Sequence, residues 1–308
     1  MEKRFIDKVI NQRQLIFMSL PLVLYVILFA YVPLWGWTMA FQDFRPGRAF
    51  SDQEWVGLQW FRHLFVYPES SPHFFQAMRN TLAMSVINMI LGFTTAIGFA
   101  LLLNELKNIR FKRIVQTVSY LPHFLSWVIV TGIVSTMLAV ENGAINDLLM
   151  FLRIINEPIL FLSEPNYFWG IVGATFVWKE VGWNTIIYLA AIAGIDPGLY
   201  EAAEIDGCNR FRKMWHVTLP GIKPTIIVLL ILSIGRLLDA GFELQWLLRN
   251  GLIQDVSDTI NIYVLIHGIR TSNFSLGTAA GMFQNVTNIT LLFLANWLAK
   301  RAGEVRLI

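Results

Sequence analysis

The chain has 308 residues, 55% of them hydrophobic and 15% charged, with a formal net charge of +3, a mean hydropathy of +0.54 and a pI near 9.0. A soluble domain carries about 25% charged residues, so an ordinary soluble enzyme and a disordered chain are both excluded. No charged residue lies between Arg13 and Asp43, Arg79 and Glu105, Arg113 and Glu141, or Arg270 and Lys300, gaps of 25 to 29 residues, whereas about 20 apolar residues span a bilayer.

In chain order, this pattern predicts an all-α, polytopic membrane protein with six transmembrane helices near 15–41, 79–103, 114–140, 167–192, 222–246 and 274–299. Residues 1–14 and 300–308 are read as cytoplasmic tails, 42–78 as an extracytoplasmic loop, and 79–299 as a core of five helices. The first apolar run is too long for a signal-peptide core and ends in Trp35-Gly36-Trp37, so it is expected to stay as a span with its tryptophans at the outer interface. The 42–78 loop carries Pro46, Pro68, Pro72 and several aromatics, and is expected to be ordered. Asn80 and Ser163 are candidate helix caps, and Pro122 and Pro224 are placed near helix starts. The fourth span contains Lys179-Glu180, and the fifth contains Arg236, Asp239 and Glu243. Gly92, Ala96 and Ala100 in the second span, and Gly277 and Gly281 in the sixth, form small-residue stripes that let helices approach closely. Asn285, Asn288 and Asn296 fall near one face of the sixth span, where interhelix hydrogen bonding and a polar path are both open readings.

Lys and Arg set the orientation. They cluster in the N-terminal tail (Lys3, Arg4, Lys8, Arg13), in 104–113, in 193–224 and in the C-terminal tail (Lys300, Arg301, Arg306), whereas the other side has seven arginines spread over longer loops. The positive-inside rule puts both termini in the cytoplasm (N-in/C-in). The basic pI thus records topology, and no nucleic-acid partner is implied.

The cytoplasmic loop 196–221 is the most specific segment. Asp196 can cap a helix with Pro197 at its first position, Tyr200 to Ile205 favours helix, Gly207 permits a break, and 208–216 can form a second short helix. The loop resembles the EAA loop of ATP-binding-cassette (ABC) importer permeases: Glu201, Ala202, Ala203, Gly207, Leu219 and Pro220 stand at that motif's spacing, with Val217 in place of the usual Ile. The resemblance runs over about 75–303. Trp178 to Asn184 and Tyr188 to Ala191 resemble the approach to that loop in carbohydrate (MalF-like) importer permeases, and Gly241-Phe242-Glu243, Asp255 to Tyr263 and Ala295 to Arg301 look most like the multiple-sugar and aldouronate oligosaccharide branch. Cys208, Leu244 and Gly251 depart from that pattern.

The resemblance implies a type I ABC importer permease fold in the bacterial plasma (inner) membrane, importing oligosaccharides that include uronic-acid-containing ones. Implied partners are a second homologous permease subunit, a cytoplasmic ABC ATPase dimer and an extracytoplasmic solute-binding protein. Glu201, Ala202, Ala203, Asp206, Gly207, Leu219 and Pro220 would couple to the ATPase. The alternatives are a permease for a neutral sugar or other small solute, and an ion-coupled secondary transporter. No Gly-rich loop ending in Gly-Lys-Ser/Thr is present, so the chain is not expected to be an enzyme, and ATP and Mg would be bound by the partner ATPase. One cysteine and five histidines show no metal-ligand spacing, and no catalytic group is expected.

Charge within a membrane is costly and marks candidate function. Lys179 and Arg236 are candidates to meet a sugar carboxylate, and Trp178, Trp183, Tyr188 and Phe242 to stack on sugar faces. Asn184, Asp239, Glu243, Asn285 and Asn288 complete the candidate substrate path. The competing reading is internal pairing: Arg236 with Asp239 on one helix face, and Lys179 with Glu180 or Glu243.

Overall fold

The computed structural model describes residues 12–68 and 70–305, so Lys3, Arg4, Lys8 and Arg306 lie outside the described residues. The protein is almost wholly helical. Helix α1 spans Arg13–Phe41, loosening into π turns at Ile27–Tyr31 and 3-10 turns at Val32–Phe41. A two-stranded antiparallel ribbon follows, β1 (Gln42–Asp43) against β2 (Glu54–Trp55), then α2 (Gln59–Phe65). Next come α3 (Ser71–Asn104), α4 (Ile109–Tyr120), α5 (Trp127–Met137), α6 (Ala144–Phe151) and α7 (Pro165–Ala193). Beyond them lie α8 (Pro197–Ile205), α9 (Arg210–Ile234), α10 (Glu243–Leu248), α11 (Gln254–Ser257), α12 (Ile260–Tyr263, continued by π turns to Arg270) and α13 (Phe274–Arg301).

Among the described residues, α1, α3 and α9 are each long and apolar enough to cross a membrane. There are five such spans if two bent pairs each cross, Ile109–Phe124 with α5 and α7 with α8. Helix α13 is long enough, but Gln284, Asn285 and Asn288 dilute its apolar run.

Two expected spans are corrected. The third, read as 114–140, is broken: Ile109–Phe124 and α5 meet at 103°. Pro122 begins a 3-10 turn there, and Ser126 restarts the helix by accepting from the Ile129 N–H. The fifth, read as 222–246, ends at Ile234, and Gly235–Phe242 runs in turns. Helix α9 also begins earlier than expected. The second helix of the 196–221 loop is continuous with it through π turns at Met214–Thr218, so Pro224 sits inside a helix rather than near its start. Neither expected cap holds. Asn80 is fully buried inside α3, donating to the carbonyls of Asp255 and Asp258 at 3.0 Å each, and α7 starts without a side-chain cap after Glu164.

Small residues set the packing. Gly92 and Ala96 of α3 face α7, where the Thr185 hydroxyl donates to the Ala96 carbonyl at 3.2 Å. Gly182 of α7 lies so close to α4 that a Cβ would stand 2.1 Å from the Ser119 oxygen. Gly277 packs against Gly268 of the same chain, whereas Gly281 faces open space. One end of the molecule gathers the ribbon, α11 and the start of α13, where the Ser275 hydroxyl donates to the Gln42 carbonyl at 2.7 Å. The opposite end gathers Asn104, Lys112 and Tyr200 around a small recess, with Lys223 paired to Glu304.

Substituting Gly182 by Leu should cost about 1–3 kcal/mol or abolish folding by overpacking. Gly98→Ala, where nothing lies within 4 Å, should be neutral. Thermal unfolding of the detergent-solubilised chain reads both.

Candidate transport site and helical hairpin

Both interruptions border one cavity of about 420 Å³. Backbone that leaves a helix inside a membrane keeps unpaired N–H and C=O groups, so it persists only where protein groups or cavity water satisfy them. At the second interruption the Leu238 N–H donates to Asn288 Oδ1 at 2.9 Å, and Gln284 Nε2 donates to the Leu238 carbonyl at 2.6 Å. The amides of α13 therefore repair the chain where α9 stops. Gly235 makes the crossing possible, because a Cβ there would fall 2.8 Å from Leu292 Cδ1.

The cavity wall brings together six of the sequence-predicted residues: Asn184, Tyr188, Arg236, Asp239, Phe242 and Glu243. Arg236, Asp239 and Glu243 are exposed to its space, and Arg236 enters no ion pair among the described residues. The expected Arg236–Asp239 pairing on one helix face does not form, because the helix has ended; Asp239 Oδ1 instead accepts from Asn261 Nδ2 at 3.0 Å and from the Gly241 N–H at 3.3 Å.

The remaining predicted residues lie elsewhere. Lys179 is 5% exposed and pairs with Glu180 at 3.3 Å, as the pairing alternative anticipated, and does not line the cavity. Trp178 and Trp183 are exposed on the outside of α7, and Trp183 stacks on the His123 ring. Asn288 is committed to Leu238, and Asn285 is exposed away from the cavity lining.

The wall also contains residues that neither charge nor motif singled out. Ser85, Asn88 and Gln245 contribute three buried side-chain oxygens with no hydrogen-bond partner, Ser85 Oγ, Asn88 Oδ1 and Gln245 Oε1. Buried polar atoms are rarely left unpaired without a reason. Gln245 is held with its amide nitrogen donating to the Ala240 carbonyl at 2.6 Å, which leaves the oxygen as the free acceptor. Trp127 and Phe176 add aromatic surface beside Tyr188 and Phe242. The wall thus offers hydrogen-bond acceptors, one unpaired guanidinium and broad aromatic faces.

At the other end, α8 and the start of α9 form a projecting hairpin. Asp196 caps α8, accepting from the Gly198 N–H at 2.9 Å, with Pro197 at the first turn. Gly207, at φ +75°, closes α8: its N–H donates to the Glu204 carbonyl, and the Cys208 N–H donates to the Ala203 carbonyl. Asn209 Oδ1 then caps the next helix by accepting from the Arg212 N–H. The Tyr200 and Thr218 hydroxyls meet at 3.0 Å and Lys213 pairs with Glu204 at 2.6 Å, bracing the arms. That lysine, through its hydrogen bond and then its charge, holds the Glu204 carboxyl below the usual range. Glu201, Ala202, Ala203 and Asp206 lie on or at the end of α8, whereas Leu219 and Pro220 lie in α9. Ile205, Phe211 and Trp215 project outward as exposed apolar side chains.

A helical membrane chain with a cavity between broken helices, mostly apolar but studded with polar groups, and a braced hairpin at one end has the architecture of a transport permease. The chain belongs to the family of binding-protein-dependent transport system inner membrane components, whose model matches residues 88–304. It is 45% identical over 302 residues to the polygalacturonan/rhamnogalacturonan transport system permease protein YteP of Bacillus subtilis (strain 168), covering 98% of this chain and 92% of that one. It is 43% identical to protein LplB of the same organism, covering 96% and 91%. A chain in the crystal structure of a bacterial ABC transporter involved in the import of the acidic polysaccharide alginate matches with a TM-score of 0.87 and 35% identity, covering 97% of this chain and 99% of that one. A chain of the bacterial alginate ABC transporter in complex with an alginate pentasaccharide-bound periplasmic protein gives a TM-score of 0.88 at 34% identity, covering 98% and 99%.

The repair of the α9 break predicts a contrast between neighbouring amides. Asn288→Leu should cost about 1–3 kcal/mol by stranding the Leu238 N–H, whereas Asn285→Leu should be nearly neutral. Denaturant unfolding of the purified chain compares them.

Proposed function

We propose that this chain is a permease subunit of an ATP-driven importer for oligosaccharides bearing uronic acids, passing them through the cavity between its two broken helices. The observation that carries this reading is the cavity wall, where Arg236 stands unpaired beside three orphaned acceptors and five aromatic rings, those of Phe93, Trp127, Phe176, Tyr188 and Phe242. A carboxylate pairs with the guanidinium, sugar hydroxyls donate to the orphaned oxygens, and the apolar faces of the rings stack on the aromatics. The acidic substrates in the names of the relatives support the same class. Asp239 and Glu243 on the same wall oppose a purely anionic occupant, which suits a solute whose carboxylates are diluted by hydroxyls.

The chain crosses the membrane six times with both termini in the cytoplasm, the bent pair of Ile109–Phe124 with α5 counting as one crossing and α7 crossing without α8. The lysine-rich and arginine-rich segments around the hairpin support that orientation. Residues 1–14 and 300–308 form the tails, 42–78 the extracytoplasmic loop and 79–299 the core. A second permease subunit and a solute-binding protein complete the path. The hairpin docks through Glu201, Ala202, Ala203, Asp206 and Gly207 into a cytoplasmic ATPase dimer, which binds ATP and Mg, while Leu219 and Pro220 carry the motion into α9. This chain contributes no catalytic group.

In proteoliposomes holding the complete importer, Arg236→Gln should raise the KM for a labelled galacturonate oligosaccharide roughly tenfold, the loss of one charge-assisted hydrogen bond. A neutral oligosaccharide should be affected less, and equal losses for both would refute charge reading by Arg236. Gly207→Leu forces a side chain into the left-handed region and should abolish ATP-dependent uptake while the binding protein keeps its affinity for sugar. Undiminished uptake would refute coupling through the hairpin.

A further inference from the structure

The break between α4 and α5 is gripped by α7. The Lys179 ammonium has three N–H donors and finds three acceptors. It donates to the His123 carbonyl at 2.6 Å, meets Glu180 Oε1 at 3.3 Å, and lies 5.0 Å from the centroid of the Trp127 indole. The other Glu180 oxygen takes His123 Nδ1 at 2.8 Å. The His123 ring in turn lies flat on Trp183, 4.3 Å between centroids and 3° from parallel. One buried lysine therefore satisfies a carbonyl freed by the break, a carboxylate and a ring face at once.

Of these groups only Trp127 also lines the cavity. It is the first residue of α5, immediately after the Ser126 cap, so its backbone position follows directly from the geometry of the break. It is half-buried, with the indole shared between the ion cluster and the cavity wall. Within that wall the indole is the largest aromatic surface, and a pyranose presents an apolar C–H face to such a surface. Among the described residues the indole makes no hydrogen bond, so the cation–π contact, with packing against the cluster around Met84 and Phe168, restrains the ring.

We infer that Lys179, Glu180 and His123 form a clamp that holds Trp127 as the saccharide-stacking wall of the cavity. Trp127 is then a substrate-contacting residue, and Lys179 is a positioning residue that acts through it. This rests on the cavity being the sugar path. The buried charge at Lys179 is retained for aim, since a methionine of similar length would fill the same space without holding the break or the ring.

The test uses the complete importer in ATP-loaded proteoliposomes with a labelled galacturonate oligosaccharide. Trp127→Leu should raise the uptake KM roughly tenfold, the scale of one lost stacking contact, and Trp127→Phe should fall between. Lys179→Met should raise KM by a similar factor, and the double variant should be no worse than Trp127→Leu alone, because both remove the same contact. ATPase stimulation by the sugar-loaded binding protein should persist in each, which separates lost positioning from lost assembly. Multiplicative effects in the double variant would overturn the clamp. Unchanged KM in Trp127→Leu and Lys179→Met, alongside a raised KM in Arg236→Gln, would overturn this inference alone. Unchanged KM in all three would take the cavity reading down with it. Should Lys179→Met fail to accumulate, Trp127→Leu decides the question, and an unchanged KM there overturns the inference.

Discussion

A peptide group inside a membrane has no water to fall back on, and this constraint organises the molecule. A continuous helix meets it alone; a broken one needs outside donors and acceptors. This chain breaks two of its membrane helices and meets the need differently each time. At Gly235–Phe242 neutral amides from α13 do it, through Asn288 and Gln284. At Leu121–Ser126 a buried ammonium does it, through Lys179 and the His123 carbonyl. Three polar residues that look out of place in the apolar runs, Lys179, Gln284 and Asn288, are the ones that make the breaks tenable.

The cavity follows from those breaks. Two uninterrupted helices in contact with α3 and α7 would interdigitate and leave little room, as Gly92 and Gly173 already do on the shared face. Where α9 stops short and α5 turns aside, space opens, and polar groups that a packed bundle would exclude stand on its wall. Ser85, Asn88 and Gln245 keep unpaired oxygens there. The hairpin at the other end obeys the opposite rule. Its ends are capped by Asp196, Gly207 and Asn209 and its arms are braced by Tyr200 with Thr218 and by Lys213 with Glu204, which ties the two arms together.

Much of this was legible in the sequence, and the boundary of legibility has physical reasons. Long charge gaps betray membrane helices because ionic side chains are so costly there. The hairpin was readable because capping residues have local geometry: Asp196-Pro197 and Gly207 act where they stand. The breaks were hidden, since hydropathy averages over a window and a 103° turn at Leu121–Ser126 changes no residue's polarity. The spacing of Arg236 and Asp239 suggested a helical pair only on the assumption that the helix continued, and it ends at Ile234. Asn88 and Asn288 are chemically the same side chain, one with an unpaired oxygen in the cavity and the other repairing backbone. Only tertiary contact tells them apart.

The tight approach of Gly182 to the Ser119 backbone has a mechanical consequence. It pins α7 at a point where neither helix can slide sideways without a clash. Helix α7 runs from Pro165 to Ala193 and turns directly into the hairpin. At a rise of 1.5 Å per residue, about 16 Å of rod lies on the hairpin side of that pin and about 26 Å on the other. A rod so held is a lever with unequal arms. A tilt about that point would carry the far end of α7 about half again as far as its hairpin end, and in the opposite direction.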